Sequence, residues 1–143
     1  MSYILLFDGR SGISFLHFRL NISNERINNI DMVSGFIVAL RNFVQSELSS
    51  EEIRIVKMNN YIITIKTLFD DLNIHAAYFI QVDYSEFLKD LIPEITRKLR
   101  LNKRFFKSCR RTDLRSFDKI TEGVRMLIKK HYKKHLAILF KIN

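Results

Sequence analysis

The sequence is poor in cysteine, proline and glycine: its 143 residues include one cysteine, one proline, four glycines and no tryptophan. The single cysteine, Cys109, cannot form an internal disulfide, which fits a reducing compartment. So little proline and glycine argues against collagen-like and disordered chains. Apolar runs reach only about five residues, whereas a membrane span needs roughly 18. We therefore expect an ordered, soluble protein of the cytoplasm.

The sequence also lacks the motifs that carry chemistry. Its glycines form no phosphate-binding loop pattern, and one cysteine with four histidines supplies no recognisable set of zinc ligands. His131 and His135 stand four residues apart on an apolar helix face, which favours packed or hydrogen-bonded histidines over metal ligands. Cys109 has no sequence-local partner for nucleophilic catalysis. The sequence predicts a protein that is not an enzyme and that needs neither a cofactor nor a metal.

What the sequence does have is a large apolar fraction and an uneven charge. Apolar residues make up 47% of the chain and include 12 Phe and 5 Tyr, enough for the core of one domain spanning residues 1–143. Residues 97–143 hold 16 Lys and Arg against 3 Asp and Glu, whereas residues 1–96 hold 8 against 12. A segment this basic attracts phosphate, anionic lipid or an acidic protein, and a solvated helical surface is the plainer alternative.

Periodicity and turn residues predict an α+β fold. A glycine-containing turn at residues 8–12 joins two strands, and a helix with its N-cap at Asp31 follows. Three more strands form an antiparallel meander, and two helices come after them, the first kinked at Pro93 and the second preceded by a basic connection. The predicted order is β-β-α-β-β-β-α-α, a five-stranded antiparallel sheet with helices on both faces. The predicted bounds are 4–7, 13–20, 53–58, 61–69 and 74–82 for the strands, 32–48, 85–99 and 118–140 for the helices, and 102–115 for the connection.

Four segments carry a resemblance to a known family: YILLFDGRSGISFLHF, DMVSGFIVALRNFVQSEL, IRIVKMNNYIITIK and IHAAYFIQVD. In this order and at these lengths the chain resembles the longin domain of the longin/roadblock superfamily, over nearly its whole length. The match is one of pattern and order, without an invariant chemical motif. The resemblance implies a sheet with the first helix on one face and the last two on the other. It also implies homo- or heterodimerisation, small-GTPase binding and a scaffold or regulatory role in vesicle trafficking.

The resemblance places a pairing surface on the first helix and on the strand after it, which tends to be a sheet edge. Cations on such a strand blunt the edge or specify its partner. The candidate partner-binding residues are Phe36, Ile53, Arg54, Val56 and Lys57.

The basic last third supplies a second candidate surface, for an anionic membrane or another acidic partner. On the last helix, apolar Met126, Leu136 and Phe140 fall beside lysines, which suits a partner or a membrane surface, whereas fraying of the chain end is the alternative. The candidate anion-binding residues are Arg104, Lys107, Arg110, Arg111, Lys129, Lys130, Lys133 and Lys134.

An alternative function from a different class is nucleic-acid binding by the C-terminal third. Residues 97–111 hold eight cations around Phe105 and Phe106, so phosphate contacts and base stacking could combine there. No zinc finger, RNP signature or KH clamp accompanies them. This alternative predicts steep salt dependence, whereas pairing through a strand edge or helix face changes little with salt.

Overall fold

A computed structural model describes residues 2–20, 30–47, 54–108 and 114–142. The chain divides into two compact units, Met1–Glu86 and Phe87–Asn143. The strands are β1 (Tyr3–Asp8), β2 (Ser14–Arg19), β3 (Ile55–Lys57), β4 (Tyr61–Phe69) and β5 (Ile74–Gln81). The α-helices are α1 (Ile30–Glu47), α2 (Ser85–Leu88), α3 (Leu91–Leu101), α4 (Lys103–Ser108) and α5 (Leu114–Ile142). Among these described elements no helix is long and apolar enough to cross a bilayer.

The first unit is built on a five-stranded sheet in the order β2-β1-β5-β4-β3. Every neighbouring pair is antiparallel. Strand β5 lies at the centre and is buried from Ile74 to Ile80, and its small Ala76 and Ala77 stand opposite Leu6 and Leu5 of β1. The α+β class, the antiparallel sheet and the predicted element order up to β5 are confirmed.

Helix α1 packs on one face of this sheet because its apolar residues recur at helical spacing. Ile37 and Val38 enter a core cluster with side chains from three strands, and Val33 and Val56 pack at its margin. Phe36, by contrast, is exposed. The strand residues of the cluster are Leu5, Phe7, Ile63, Ile65, Ala77 and Phe79.

The second unit contains a pair of antiparallel helices, α3 and α5. The Phe87 ring, which precedes α3, lies 4.6 Å from the ring of His135, late in α5. Further along α3, Lys98 lies over Gly123, nearer the start of α5. Their apolar faces are buried at Leu91, Ile95, Leu99, Ile120 and Val124.

Several predictions about the helices and the β3 strand are corrected. The predicted helix 85–99 is interrupted at Lys89 and Asp90, directly before Pro93, so two separate helices stand where one kinked helix was predicted. Pro93 lies in the first turn of α3, where a missing N–H costs little. Residues 103–108 of the basic connection are helical. Strand β3 covers only Ile55–Lys57, because an edge strand gains hydrogen bonds from one neighbour alone. The last helix is longer than predicted, Leu114–Ile142, and the predicted N-cap Asp31 lies inside α1, which begins at Ile30.

Candidate interaction surface

The outer edge of β3 presents backbone groups for another strand. The Met58 N–H donates to the Tyr61 carbonyl and the Ile65 N–H donates to the Arg54 carbonyl, each with an N···O distance of 2.8 Å. In an antiparallel ladder the residues that bond a given neighbour alternate. Positions 54, 56 and 58 therefore bond β4, and Ile55 and Lys57 direct their N–H and C=O groups outward. Among the described residues, β4 is the only strand that pairs with β3.

The side chains of β3 alternate between the two faces of the sheet. Val56 points to the α1 face and packs half-buried against the core cluster. Ile55 and Lys57 consequently point to the other face. Ile55 is 56% exposed, and Met58, just past the strand, is 51% exposed. The edge is thus apolar with cations at Arg54 and Lys57, both of which are exposed.

Helix α1 adds an apolar strip beside its buried face. Val33, Phe36 and Leu40 recur at intervals of three and four residues, so they share one side of the helix. Val33 and Leu40 are half-buried, and Phe36 is 63% exposed. Phe36 is therefore the most exposed apolar side chain of this strip.

The predicted partner-binding residues have different outcomes in the structure. Phe36, Arg54 and Lys57 are exposed, whereas Val56 is directed toward the core cluster and offers only part of its side chain. Ile53 lies outside the described residues. The sequence did not single out Ile55 and Met58, the exposed apolar residues of this edge. Alternation along a strand does not tell which face of the sheet a side chain points to until the pairing register is known.

The predicted anion-binding residues that the structure describes are all exposed. They lie on α4 (Arg104 and Lys107) and on α5 (Lys129, Lys130, Lys133 and Lys134). Arg110 and Arg111 lie outside the described residues, as does Cys109. Met126 is exposed as predicted, and the side chains of Leu136 and Phe140 are outside the described part of α5.

Phe105 and Phe106, the aromatic pair predicted to stack on bases, are not exposed on the surface. Phe106 is buried. Phe105 is half-buried, and the Arg104 guanidinium lies 5.5 Å from its ring centroid. The nucleic-acid alternative therefore retains its cations but loses the stacking platform that the sequence suggested.

His75 is a buried histidine whose two ring nitrogens are both engaged. Its Nε2 lies 2.7 Å from Asn73 Oδ1 and its Nδ1 lies 3.2 Å from Thr67 Oγ1. An amide oxygen can only accept, so Nε2 carries the proton and Nδ1 accepts from the threonine hydroxyl. Burial, with the nearby Arg41 charge, lowers the pKa of His75 to about 4. At neutral pH this ring is therefore uncharged and held between Asn73 and Thr67.

His131 and His135 pack around Phe87, as the sequence predicts for histidines on an apolar face. His131 Nε2 donates a hydrogen bond to the Phe87 carbonyl oxygen, with an N···O distance of 2.6 Å. The Phe87 ring meets both imidazoles edge-on, with centroids 5.0 Å and 4.6 Å away. Within the described residues there is no group of three or more His, Cys, Asp or Glu side chains that could hold a metal ion.

Up to β5 the described elements have the order that the resemblance implies, and the strand after the first helix is a sheet edge. The fold is longin-like. No family model and no curated protein matches the sequence.

Among solved structures, the chain is similar to the gliding protein MglB from Thermus thermophilus, at 12% identity and a TM-score of 0.46, over 55% of this chain. It spans 59% of the length of that MglB chain. It is also similar to an MglB with tetrameric arrangement, at 9% identity and a TM-score of 0.48, over 90% of this chain and 78% of the other. The assignment of the fold rests on the strand order and on the edge position of β3, not on these two likenesses.

Proposed function

We propose that the chain is a non-catalytic protein-interaction module that pairs with a second copy of itself through the outer edge of β3. The observation that carries the proposal is the outward direction of the Ile55 and Lys57 backbone groups at an edge with exposed apolar side chains. Unsatisfied strand edges of this kind pair with other strands unless something blocks them. No described residue covers this edge by strand pairing.

A two-fold axis at Val56 gives a consistent antiparallel register between two copies. Ile55 then stands opposite Lys57 of the partner subunit in a hydrogen-bonded pair, using the groups that face outward in each strand. No cation directly opposes a cation in this register, which avoids the penalty for like charges. The edge therefore suits a second copy despite carrying Arg54 and Lys57.

The exposed strip on α1 would enlarge the contact beyond the strand. A three-residue strand supplies few hydrogen bonds, and a stable interface needs a buried apolar centre. Phe36, an exposed aromatic side chain, is suited to that part because aromatic residues dominate interface energetics.

For the cellular role we propose a dimeric scaffold or small-GTPase-linked regulator in vesicle trafficking, acting in the cytoplasm. The support is the longin resemblance, whose implied element order up to β5 and implied edge strand agree with the structure. An exposed strand edge beside an exposed aromatic side chain is a feature of binding surfaces, which is in keeping with this role.

The test is the solution mass by light scattering of nuclease-treated protein at about 0.1 and about 0.5 M salt, where the screening length roughly halves. We expect a dimer at both salt concentrations. Phe36→Ser should shift the protein toward monomer, whereas the control Ala39→Ser, at another exposed position of α1, should leave the mass unchanged. A monomer at all concentrations, or a dimer indifferent to Phe36, would contradict the proposal.

A further inference from the structure

The second unit exposes two aliphatic side chains that have no part in the pairing surface. Leu101, at the end of α3, is 79% exposed, and Met126, on α5, is 62% exposed. Leu101 has Arg97 four residues before it and Arg104 three residues after it. Met126 has Lys129 and Lys130 three and four residues after it and Glu122 four residues before it, all exposed and on the same side of the helix. Cations therefore outnumber acids beside each aliphatic side chain.

The charge around these two residues is strongly one-sided. Among the described side chains of α3, α4 and α5, ten exposed residues are Lys or Arg and three are acidic. From residue 125 to residue 134 the exposed face of α5 holds cations and Met126 without any acid. The ten cations, named here the cationic face, are Arg97, Arg100, Arg104, Lys107, Lys119, Arg125, Lys129, Lys130, Lys133 and Lys134.

The packing of α3 on α5 brings the two aliphatic residues into one region. A Cβ placed on Gly123 would lie 2.7 Å from Lys98 Cε, so the Lys98 side chain lies against α5 at this point. Leu101 follows Lys98 by three residues and Met126 follows Gly123 by three, each about 4.5 Å of helix rise from the contact. Because the helices are antiparallel, Leu101 and Met126 are displaced from this contact in opposite directions along the helix axes.

We propose that the cationic face docks on an anionic lipid bilayer, with Leu101 and Met126 entering the headgroup region. Exposed aliphatic side chains set among lysines and arginines suit a bilayer surface, where negatively charged headgroups cover an apolar acyl-chain region. The long cationic side chains can reach lipid phosphates while their methylene stems cover apolar surface. This proposal does not depend on pairing through β3.

Lipid is favoured over nucleic acid by the kind of apolar residue exposed. Single-stranded nucleic acid is bound by aromatic side chains that stack on bases, and leucine and methionine offer no such ring. The aromatic residues of this region are withdrawn, since Phe106 is buried and Phe105 is half-buried beside Arg104. An aliphatic pair within a cationic surface matches the chemistry of a membrane interface better.

The first experiment measures binding of the full chain to vesicles of phosphatidylcholine alone and of phosphatidylcholine with about 30% phosphatidylserine. We expect binding to the anionic vesicles only. Lys129→Gln with Lys133→Gln should weaken it about tenfold or more, given the attraction of each cation to an anionic surface. The control is Arg10→Gln with Lys89→Gln, which removes the same charge from exposed positions outside the cationic face.

The second experiment separates lipid from other anions. Leu101→Ser with Met126→Ser keeps every charge and should weaken vesicle binding about tenfold, because the apolar contribution is lost. The control Ile13→Ser with Val82→Ser changes two partly exposed apolar residues of the first unit and should bind normally. A single-stranded RNA, measured in parallel, should bind the Leu101/Met126 variant as it binds the unchanged protein.

Two results would overturn the proposal. One is vesicle binding that survives the Leu101/Met126 change in full, which would leave only nonspecific charge attraction. The other is RNA binding tighter than vesicle binding and equally sensitive to the Leu101/Met126 change, which would assign the face to nucleic acid. All substituted residues are exposed, and an unchanged thermal unfolding midpoint shows that each variant is folded.

Discussion

Gly12 and Gly35 lie backbone against backbone: a Cβ on Gly12 would stand 2.9 Å from the Cα of Gly35. Gly12 also has a φ of +73°, a left-handed conformation that disfavours any other side chain. Beside this contact the Ser34 hydroxyl donates a buried hydrogen bond to the Gly12 carbonyl. The turn between β1 and β2 is thereby fixed to the first half of α1, the helix that carries Phe36.

Alanine at these two glycines should change stability in opposite directions. Gly12→Ala introduces a left-handed alanine and a clash with backbone, and we expect it to lower the free energy of unfolding by roughly 2 kcal/mol. Gly35→Ala places its Cβ in open space inside a helix and should raise it by about 1 kcal/mol. Urea denaturation of both variants checks this, and changes of the same sign would refute the described contact.

The stability of the protein should fall with acid in a window set by His75. Its pKa is lowered from the ordinary 6.5 to about 4 by burial and the Arg41 charge. Between these values the unfolded chain binds a proton that the folded chain does not, so the free energy of unfolding decreases as pH falls from 6.5 to 4. Above 6.5 both states are neutral at this residue and the contribution is fully present.

The variant His75→Gln isolates this effect, because glutamine can donate to Asn73 Oδ1 but does not titrate. Its stability, measured by denaturation at a series of pH values, should depend less steeply on pH than that of the unchanged protein between 6.5 and 4. Equal slopes for the two proteins would mean that His75 is protonated normally in the fold.

His131 should contribute to stability through its hydrogen bond to the Phe87 carbonyl. Replacing it by leucine leaves that acceptor without its donor, and we expect a loss of about 2 kcal/mol. The neighbouring Lys130→Ala changes an exposed side chain and should stay within about 0.5 kcal/mol. Thermal unfolding of the two variants checks this; a loss no larger for His131→Leu than for Lys130→Ala would contradict it.

Pairing through β3 should be blocked by proline at position 55. The N–H of Ile55 faces outward, so Ile55→Pro removes a donor for the partner strand while the bonds of β3 to β4 remain. We expect at least a tenfold rise in the dimer dissociation constant, measured by sedimentation equilibrium, from the loss of hydrogen bonds at both symmetric positions. Ile55→Val keeps the N–H and should dimerise normally, and equal affinities in the two variants would exclude the edge.

The sequence predicts the core of the fold well, because strand β4 and helix α1 carry strong periodicity and are bounded by turn residues. It predicts the edge poorly. Whether Ile53, Ile55 or Val56 faces outward depends on a register that comes from pairing with β4, not from the local pattern. Phe105 and Phe106 fall in the predicted basic connection 102–115, yet they lie on α4 and Phe106 is buried. The exposure of Leu101 could not be predicted from the sequence, since a leucine at a helix end is ordinarily part of a core.

The most direct test of the pairing account is amide hydrogen exchange along β3 at two protein concentrations about tenfold apart, spanning the dimer transition. The outward N–H groups of Ile55 and Lys57 should exchange more slowly at the higher concentration. The N–H of Met58, bonded to Tyr61 within the chain, is an internal reference that should change much less. Exchange at Ile55 and Lys57 that is equally fast at both concentrations, in a sample whose mass is that of a dimer, would contradict pairing through this edge.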